Sequence, residues 1–299
     1  MFSHYIDLSW RSFKRTPLVS LLMVIAIGVG IGITMTSLSV YHMMSMDPIP
    51  QKSDKLHAVQ LQIMDERSSW WTPDDLPYQL TYQDAENLQN ADLPYKRTAL
   101  MKSGFSVHLD SDKLQPFMAV SRLASRQAFE MFNLSFQHGA PWSAEQEESA
   151  TPVAVISQSM SKKLFGTDNS VGKSFYLDDL NVQVTGVIAD WQINIKYYDL
   201  NNGAFNEPEQ IFLPFSLIKA YEIDTWGNTN GWKNEDLRNF TNKMQSEHVW
   251  LQFWIELDSE EDKKAFGDYL MNYMQEQKKL GRFERTKLDY GLKDVNEWI

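Results

Sequence analysis

One stretch of the chain lacks polar relief. Leu18 to Val40 reads LVSLLMVIAIGVGIGITMTSLSV, and no Asp, Glu, Lys or Arg occurs between Arg15 and Asp47. About 20 apolar residues at ~1.5 Å rise cross a ~30 Å hydrocarbon core, so the pattern predicts a transmembrane helix over 17–46. Ahead of it, Phe2, Tyr5, Ile6, Ser9, Trp10 and Phe13 recur at three-to-four spacing. This spacing predicts a separate amphipathic helix over 1–16, with Pro17 at the start of the spanning helix. Beyond Asp47-Pro48-Ile49-Pro50 the periodicity changes. KLHAVQLQI at 55–63, TPVAVIS at 151–157 and VWLQFWIEL at 249–257 read as strands. Thr81, Ser157 and Asp258 or Ser259 are expected helix caps, with Gly166 and Gly281 as stops. Residues 96–109 are expected as a strand or hairpin bending at Gly104, 116–123 as a strand and 126–132 as a short helix. Residues 173–178 and 181–188 form a strand pair. QIFLPFSLIKAY runs as a strand through Pro214 into a helical turn, and RFERTKLDY is a last strand. WWTPDDLPY at 70–78 reads as a loop, and 190–248 as mostly loop, because its periodicity is weak. The class is α+β.

Charge sets the orientation. Arg11, Lys14 and Arg15 precede the apolar run, and the positive-inside rule puts the N-terminus in the cytoplasm. The body is therefore expected across the membrane. The run is too long for a signal peptide and has no A-x-A site, so a retained anchor is expected. The net charge is −11 although residues 1–46 are basic, and an acidic body argues against nucleic acid as a partner. With no cysteine, disulfides, iron–sulfur clusters and thiolate zinc sites are excluded. Gly28, Gly30 and Gly32 cluster inside the span, where missing side chains let another helix approach. They are the expected helix-packing residues. Tyr5, Trp10, Arg11, Lys14 and Arg15 are expected at the cytoplasmic membrane interface, either facing lipid or touched by a cytoplasmic partner protein.

Catalytic motifs fail on spacing. GTDNSVGKS at 166–174 puts five residues between its glycines where a phosphate loop needs four, and Lys173-Ser174 enters a strand pattern. The six histidines show no metal-ligand spacing. His42 with Met43, Met44 and Met46 offers soft ligands at a place where methionine is common apolar filler. Asp74–Asp75 and Glu260–Glu261 suit a loop and a helix start. No cofactor, metal or active site is expected.

The order of the pieces resembles the permeases of MacB/FtsX-type ABC transporters. The stretches that carry the resemblance are YIDLSWRSFKRTP, IAIGVGIGI, PVAVISQSMSKKLFGTDNSVGKSFYLDDLNVQVTGVIAD and IFLPFS. It implies a MacB-like periplasmic core domain over 47–299 with two lobes, one about 50–110 and 248–290, the other inserted at about 111–247. It also implies an inner-membrane permease component for substrate export, not itself an enzyme, paired as a homo- or heterodimer and driven by a cytoplasmic ABC ATPase near residues 1–15. Relatives in that family carry four membrane helices, three of them after the periplasmic domain. The sequence reaches about where the second would begin, so a truncated permease or a shortened accessory relative is expected. The alternatives are a single-span anchored binding or sensor domain without an ATPase, and an anchored enzyme.

Overall fold

The computed structural model describes residues 5, 10, 11, 13–44, 46–67, 75–111 and 114–299, with backbone only at 43 and 44. It divides into two compact units, 1–46 and 47–299. The first holds α1 (Pro17–Met44). The second begins with β1 (Leu56–Leu61), β2 (Leu80–Thr81), α2 (Tyr82–Gln89), β3 (Arg97–His108) and β4 (Phe117–Ala124). It continues through α3 (Ala128–Met131), β5 (Phe136–Gly139), α4 (Ala144–Glu148), β6 (Val153–Ser157) and α5 (Gln158–Phe165). Then come β7 (Ser174–Leu177), β8 (Leu180–Ile188), a 3₁₀ turn (Tyr197–Asn202), β9 (Ile211–Pro214), α6 (Leu217–Ala220) and α7 (Phe240–Gln245). The last elements are β10 (Val249–Glu256), α8 (Glu260–Lys279), β11 (Tyr290–Asp294) and α9 (Val295–Trp298).

The strands make one sheet in the order β11-β1-β10-β3-β4-β9-β6-β8-β5, with β2 on β10 and β7 between β3 and β8. The β7 pairings close β3-β4-β9-β6-β8-β7 into a six-stranded ring. Closure removes free edges from that part of the sheet. β3 makes this possible by its length. Its first half pairs with β10, its last residues pair with β7, and β4 follows it along Leu100–Val107. The sheet is therefore continuous between the portions 50–110 with 248–290 and 111–247.

Apolar residues cover both faces. In β10, Leu251, Phe253 and Ile255 join one cluster with Phe266, Leu270 and Met274 of α8, whereas Trp254 joins a second with Phe129, Trp142 and Phe212. Burial on both faces explains why VAVIS and VWLQFWIE read as apolar runs without clean alternation. The helices start where their caps predict. Thr81 accepts from the Asp84 amide, Ser157 from that of Met160 and Ser259 from that of Asp262, each at 3.1 Å. Gly166 closes α5 at φ +65°, a conformation that glycine adopts without a Cβ clash.

Three expectations change. Gly104 is no bend but the middle of a continuous strand, and a Cβ there would overlap the Trp226 ring. The last strand is Tyr290–Asp294, later than RFERTKLDY. Arg282 is held by Asp84 and Glu247 at 2.8 and 2.6 Å, and Phe283 is buried at φ +50°, so neither enters a ladder. Residues 190–248 are not surface loop throughout, since Tyr197, Tyr198, Asp199 and Glu209 are buried. The loop expected at 70–78 falls partly outside the described residues, at 70–74.

Because the Trp226 ring occupies the Cβ position of Gly104, Gly104→Val should destabilise the body by about 1–3 kcal/mol. Urea denaturation of the full chain checks this, and Gly281→Ala measures strain alone, since a Cβ there meets no atom.

Candidate functional site

The residues expected to act in the membrane all fall in the first unit. α1 is long and apolar enough over Pro17–His42 to cross a membrane by length and composition. Its large side chains stay open, from Val40 at 44% exposure to Tyr41 at 71%. Gly28, Gly30 and Gly32 lie inside it, and a Cβ on any of them would meet no described atom within 4 Å. Tyr5, Trp10, Arg11, Lys14 and Arg15 are helical and exposed, with Lys14 Nζ 5.6 Å from the centre of the Trp10 ring. The rest of the amphipathic segment expected over 1–16 lies mostly outside the described residues.

In the second unit, the first and last segments are fastened to one another. Asp47 accepts from the Ile49 amide at 2.9 Å, and Ile49 is buried in the second apolar cluster. β1 pairs with β11 over five positions, from His57↔Asp294 to Leu61↔Tyr290. Just beyond the ladder, the Val295 amide donates to the Ser53 carbonyl at 3.0 Å. Asp294 and Glu297 form a capping box that starts α9. Trp298 then packs edge-on against Trp254 at 6.2 Å and Tyr78 at 5.2 Å. Lys52 ties the incoming segment to Glu256 of β10 at 3.1 Å. The chain thus enters and leaves the sheet through one clasp of β1, β11 and α9. His57 lies inside it, 3% exposed, and its Nδ1–H donates to the Lys55 carbonyl at 2.9 Å. Burial pushes its imidazole below the ordinary 6.5.

Beside this clasp lies a buried cluster of charges. Arg122 Nη2 meets Asp199 Oδ2 at 2.6 Å and Glu209 Oε1 at 2.7 Å. Lys196 Nζ reaches the same Glu209 oxygen at 2.7 Å, and the Tyr198 hydroxyl donates to Glu209 Oε2 at 2.8 Å. Asp199 Oδ1 accepts from Gln252 at 2.6 Å and Asn202 at 2.7 Å. The two cations and two carboxylates balance. Burial alone would push the Glu209 carboxyl up, but Arg122 and Lys196 hold it down to about 2. Burial opposes the Arg122 charge, and Glu209 and Asp199 outweigh it, raising its pKa above the ordinary value. The guanidinium also sits 5.2 Å over the Tyr198 ring. Arg122 comes from β4, Asp199 from the 3₁₀ turn, Glu209 from the lead into β9 and Gln252 from β10. The cluster therefore bonds together segments far apart in sequence. Sequence reading missed it because ionic groups separated this widely leave no period. The one local signal was the aromatic pair Tyr197-Tyr198 set between Lys196 and Asp199.

Among the described residues no group of three or more His, Asp or Glu is placed to hold a metal ion. The GTDNSVGKS segment is the turn from α5 to β7, with Gly166 and Gly172 both at positive φ. It precedes a strand and opens no helix. What this arrangement can do is fasten the first and last strands of the body's sheet to one another.

Two outcomes check the clasp and the cluster. Arg122→Ala would leave Asp199 buried without its cation and Glu209 with Lys196 alone, and should cost about 3–5 kcal/mol in chemical denaturation. For His57, the unfolded state takes up a proton as pH drops below 6.5 while the folded state resists it. Stability is therefore intact above 6.5 and falls below it. His57→Gln should flatten the thermal-unfolding profile over that acid window, and an unchanged slope would remove His57 as the cause.

The comparisons with known proteins agree with this architecture. The profile of the family described as MacB-like periplasmic core domain matches residues 20–273. The structure resembles the periplasmic region of MacB from Actinobacillus actinomycetemcomitans, with TM-score 0.50 and 12% identity over 83% of this chain and 93% of that one. It also resembles a domain of a putative permease protein from Porphyromonas gingivalis, with TM-score 0.51 and 14% identity over the same shares. These likenesses concern the fold. In sequence, the chain is 36% identical over 61 residues to the pyoverdine export ATP-binding/permease protein PvdT of Pseudomonas aeruginosa. That alignment spans 20% of this chain and 9% of PvdT, so the chain matches only a small part of its curated relative. Together with the apolar helix, the family match supports a membrane-anchored protein. The chain belongs to the family of MacB-like periplasmic core domains of ABC transporter permeases.

Proposed function

We propose that this chain is a permease component that couples ATP hydrolysis by a partner ABC ATPase to movement of a periplasmic body, in support of substrate export. The observation that carries the reading is the clasp: the segment following α1 is fastened to β11 and α9 through the β1–β11 ladder and the Ser53–Val295 bond. Displacement of the helix is delivered to the sheet through this clasp. The charge cluster joins β4 and the 3₁₀ turn, from the portion 111–247, to β10. On this reading the two expected lobes move together.

The basic residues Arg11, Lys14 and Arg15 support a cytoplasmic N-terminus, against inner-membrane lipid and the ATPase. The open face of Gly28 and Gly32, or that of Gly30 on the opposite side, takes a second permease helix, from another copy or a different chain. The ATPase hydrolyses the nucleotide, and this chain transmits the change.

The absence of native cysteine permits a direct test. In intact spheroplasts, a membrane-impermeant maleimide should label Lys293→Cys, and should label Lys14→Cys only after permeabilisation. The full chain should co-purify with an ABC-type ATPase, and the pair Lys14→Glu, Arg15→Glu should reduce that recovery. Labelling of Lys14→Cys in intact spheroplasts contradicts the orientation. A chain that is recovered without any ATPase contradicts the coupling.

A further inference from the structure

The body contains a cavity of about 820 Å³, within the size range of small-molecule sites. α2, α4 and α6 wall it, and the link after β4 contributes to its floor. Its polar lining is unusual in which valences are already used. Gln89 Oε1 accepts from the Ala99 amide and Gln127 Oε1 from the Arg97 amide, both at 2.9 Å. Each carboxamide has therefore committed its acceptor to the backbone, and its Nε2 donors are unused among the described residues. Ser216 Oγ is buried with no hydrogen-bond partner among the described residues, a condition that costs free energy until something fills it. The Arg126 guanidinium makes no hydrogen bond or ion pair to the described residues, and its charge acts on Glu147.

The carboxylates nearby are mostly answered. Glu86 accepts from the Tyr82 hydroxyl at 3.1 Å and lies 3.4 Å from Lys219. Glu147 accepts from the Arg126 amide at 3.0 Å, and burial pushes its carboxyl up. Glu148 stands exposed without a partner among the described residues. The apolar part of the lining includes Tyr82 and Phe215, stacked at 5.9 Å and 10°.

We propose that this cavity binds an organic monocarboxylate with an apolar body. Arg126 takes the carboxylate as a two-pronged donor, and Gln89, Gln127 and Ser216 supply the further donors. The apolar body lies against Tyr82 and Phe215. Glu148 repels a second negative charge, which selects single anions over di- and tricarboxylates. The site needs no ATPase, so its failure would leave the permease reading standing.

Calorimetric titration of the detergent-solubilised full chain tests this, with N-acetyl-L-phenylalanine as probe and its uncharged primary amide as comparison. The acid should bind at least tenfold more tightly than the amide. Arg126→Gln should weaken the acid about tenfold and leave the amide unchanged. Glu148→Gln should tighten the acid. Neither side chain holds a hydrogen bond among the described residues, so both variants should unfold at the wild-type temperature. The opposite signs of the two variants are not what a structural disturbance gives. Equal affinity for acid and amide, an unchanged acid affinity in Arg126→Gln, or no heat from either compound up to about 10 mM overturns the proposal.

Discussion

Arg122 is fully enclosed, and an enclosed guanidinium constrains everything around it. Removing such a charge from water costs several kcal/mol, and only close, well-directed carboxylates offset it. Asp199 and Glu209 supply that compensation at 2.6 and 2.7 Å, and Lys196 balances the second negative charge. For these contacts to exist, β4, the 3₁₀ turn, the lead into β9 and the start of β10 must all arrive together. An apolar centre would tolerate slippage of one strand against another. A balanced ionic centre penalises it, because a shifted register leaves a charge unpaired. The cluster thereby specifies one arrangement of the sheet, at a cost in stability that the two apolar layers offset.

That specificity matters for a body held through one clasp. The first strand after the apolar helix and the last strand of the sheet are neighbours, and Trp298 closes over their junction. Between residue 47 and β1, Asp47, Lys52 and Ser53 are all hydrogen-bonded within the body. The six-stranded ring then stiffens the portion furthest along the sheet from β11. For the proposed coupling, a stiff body suits transmission of force better than a loose pair of lobes would.

Much of this was legible in the chain. The caps at Thr81, Ser157 and Ser259, the stop at Gly166 and the strands TPVAVIS and VWLQFWIEL are local signals, and local physics decides them. The α+β class and the family resemblance followed from their order. What could not be read depends on contacts between distant residues. Gly104 reads as a bend until Trp226, far along the chain, is seen to fill the place of its side chain. RFERTKLDY has strand composition, but Arg282 is drawn to Asp84 and Glu247 and keeps its segment out of the ladder. The stretch 190–248 shows no period because its buried residues follow an irregular path around Arg122. The glycines of the apolar helix meet no described atom within 4 Å, so the expectation of a packing face rests on the sequence pattern alone.

In the proposed coupling the body moves as one piece when the helix moves. Pulsed electron spin resonance on the full chain with its ATPase measures this directly, using spin labels at exposed Lys163 and Lys264 within the body, and at Lys14 and Lys264 across the two units. On adding a non-hydrolysable ATP analogue, the account predicts an unchanged Lys163–Lys264 distance and a changed Lys14–Lys264 distance. A shift within the body, or no shift across the units, would contradict it.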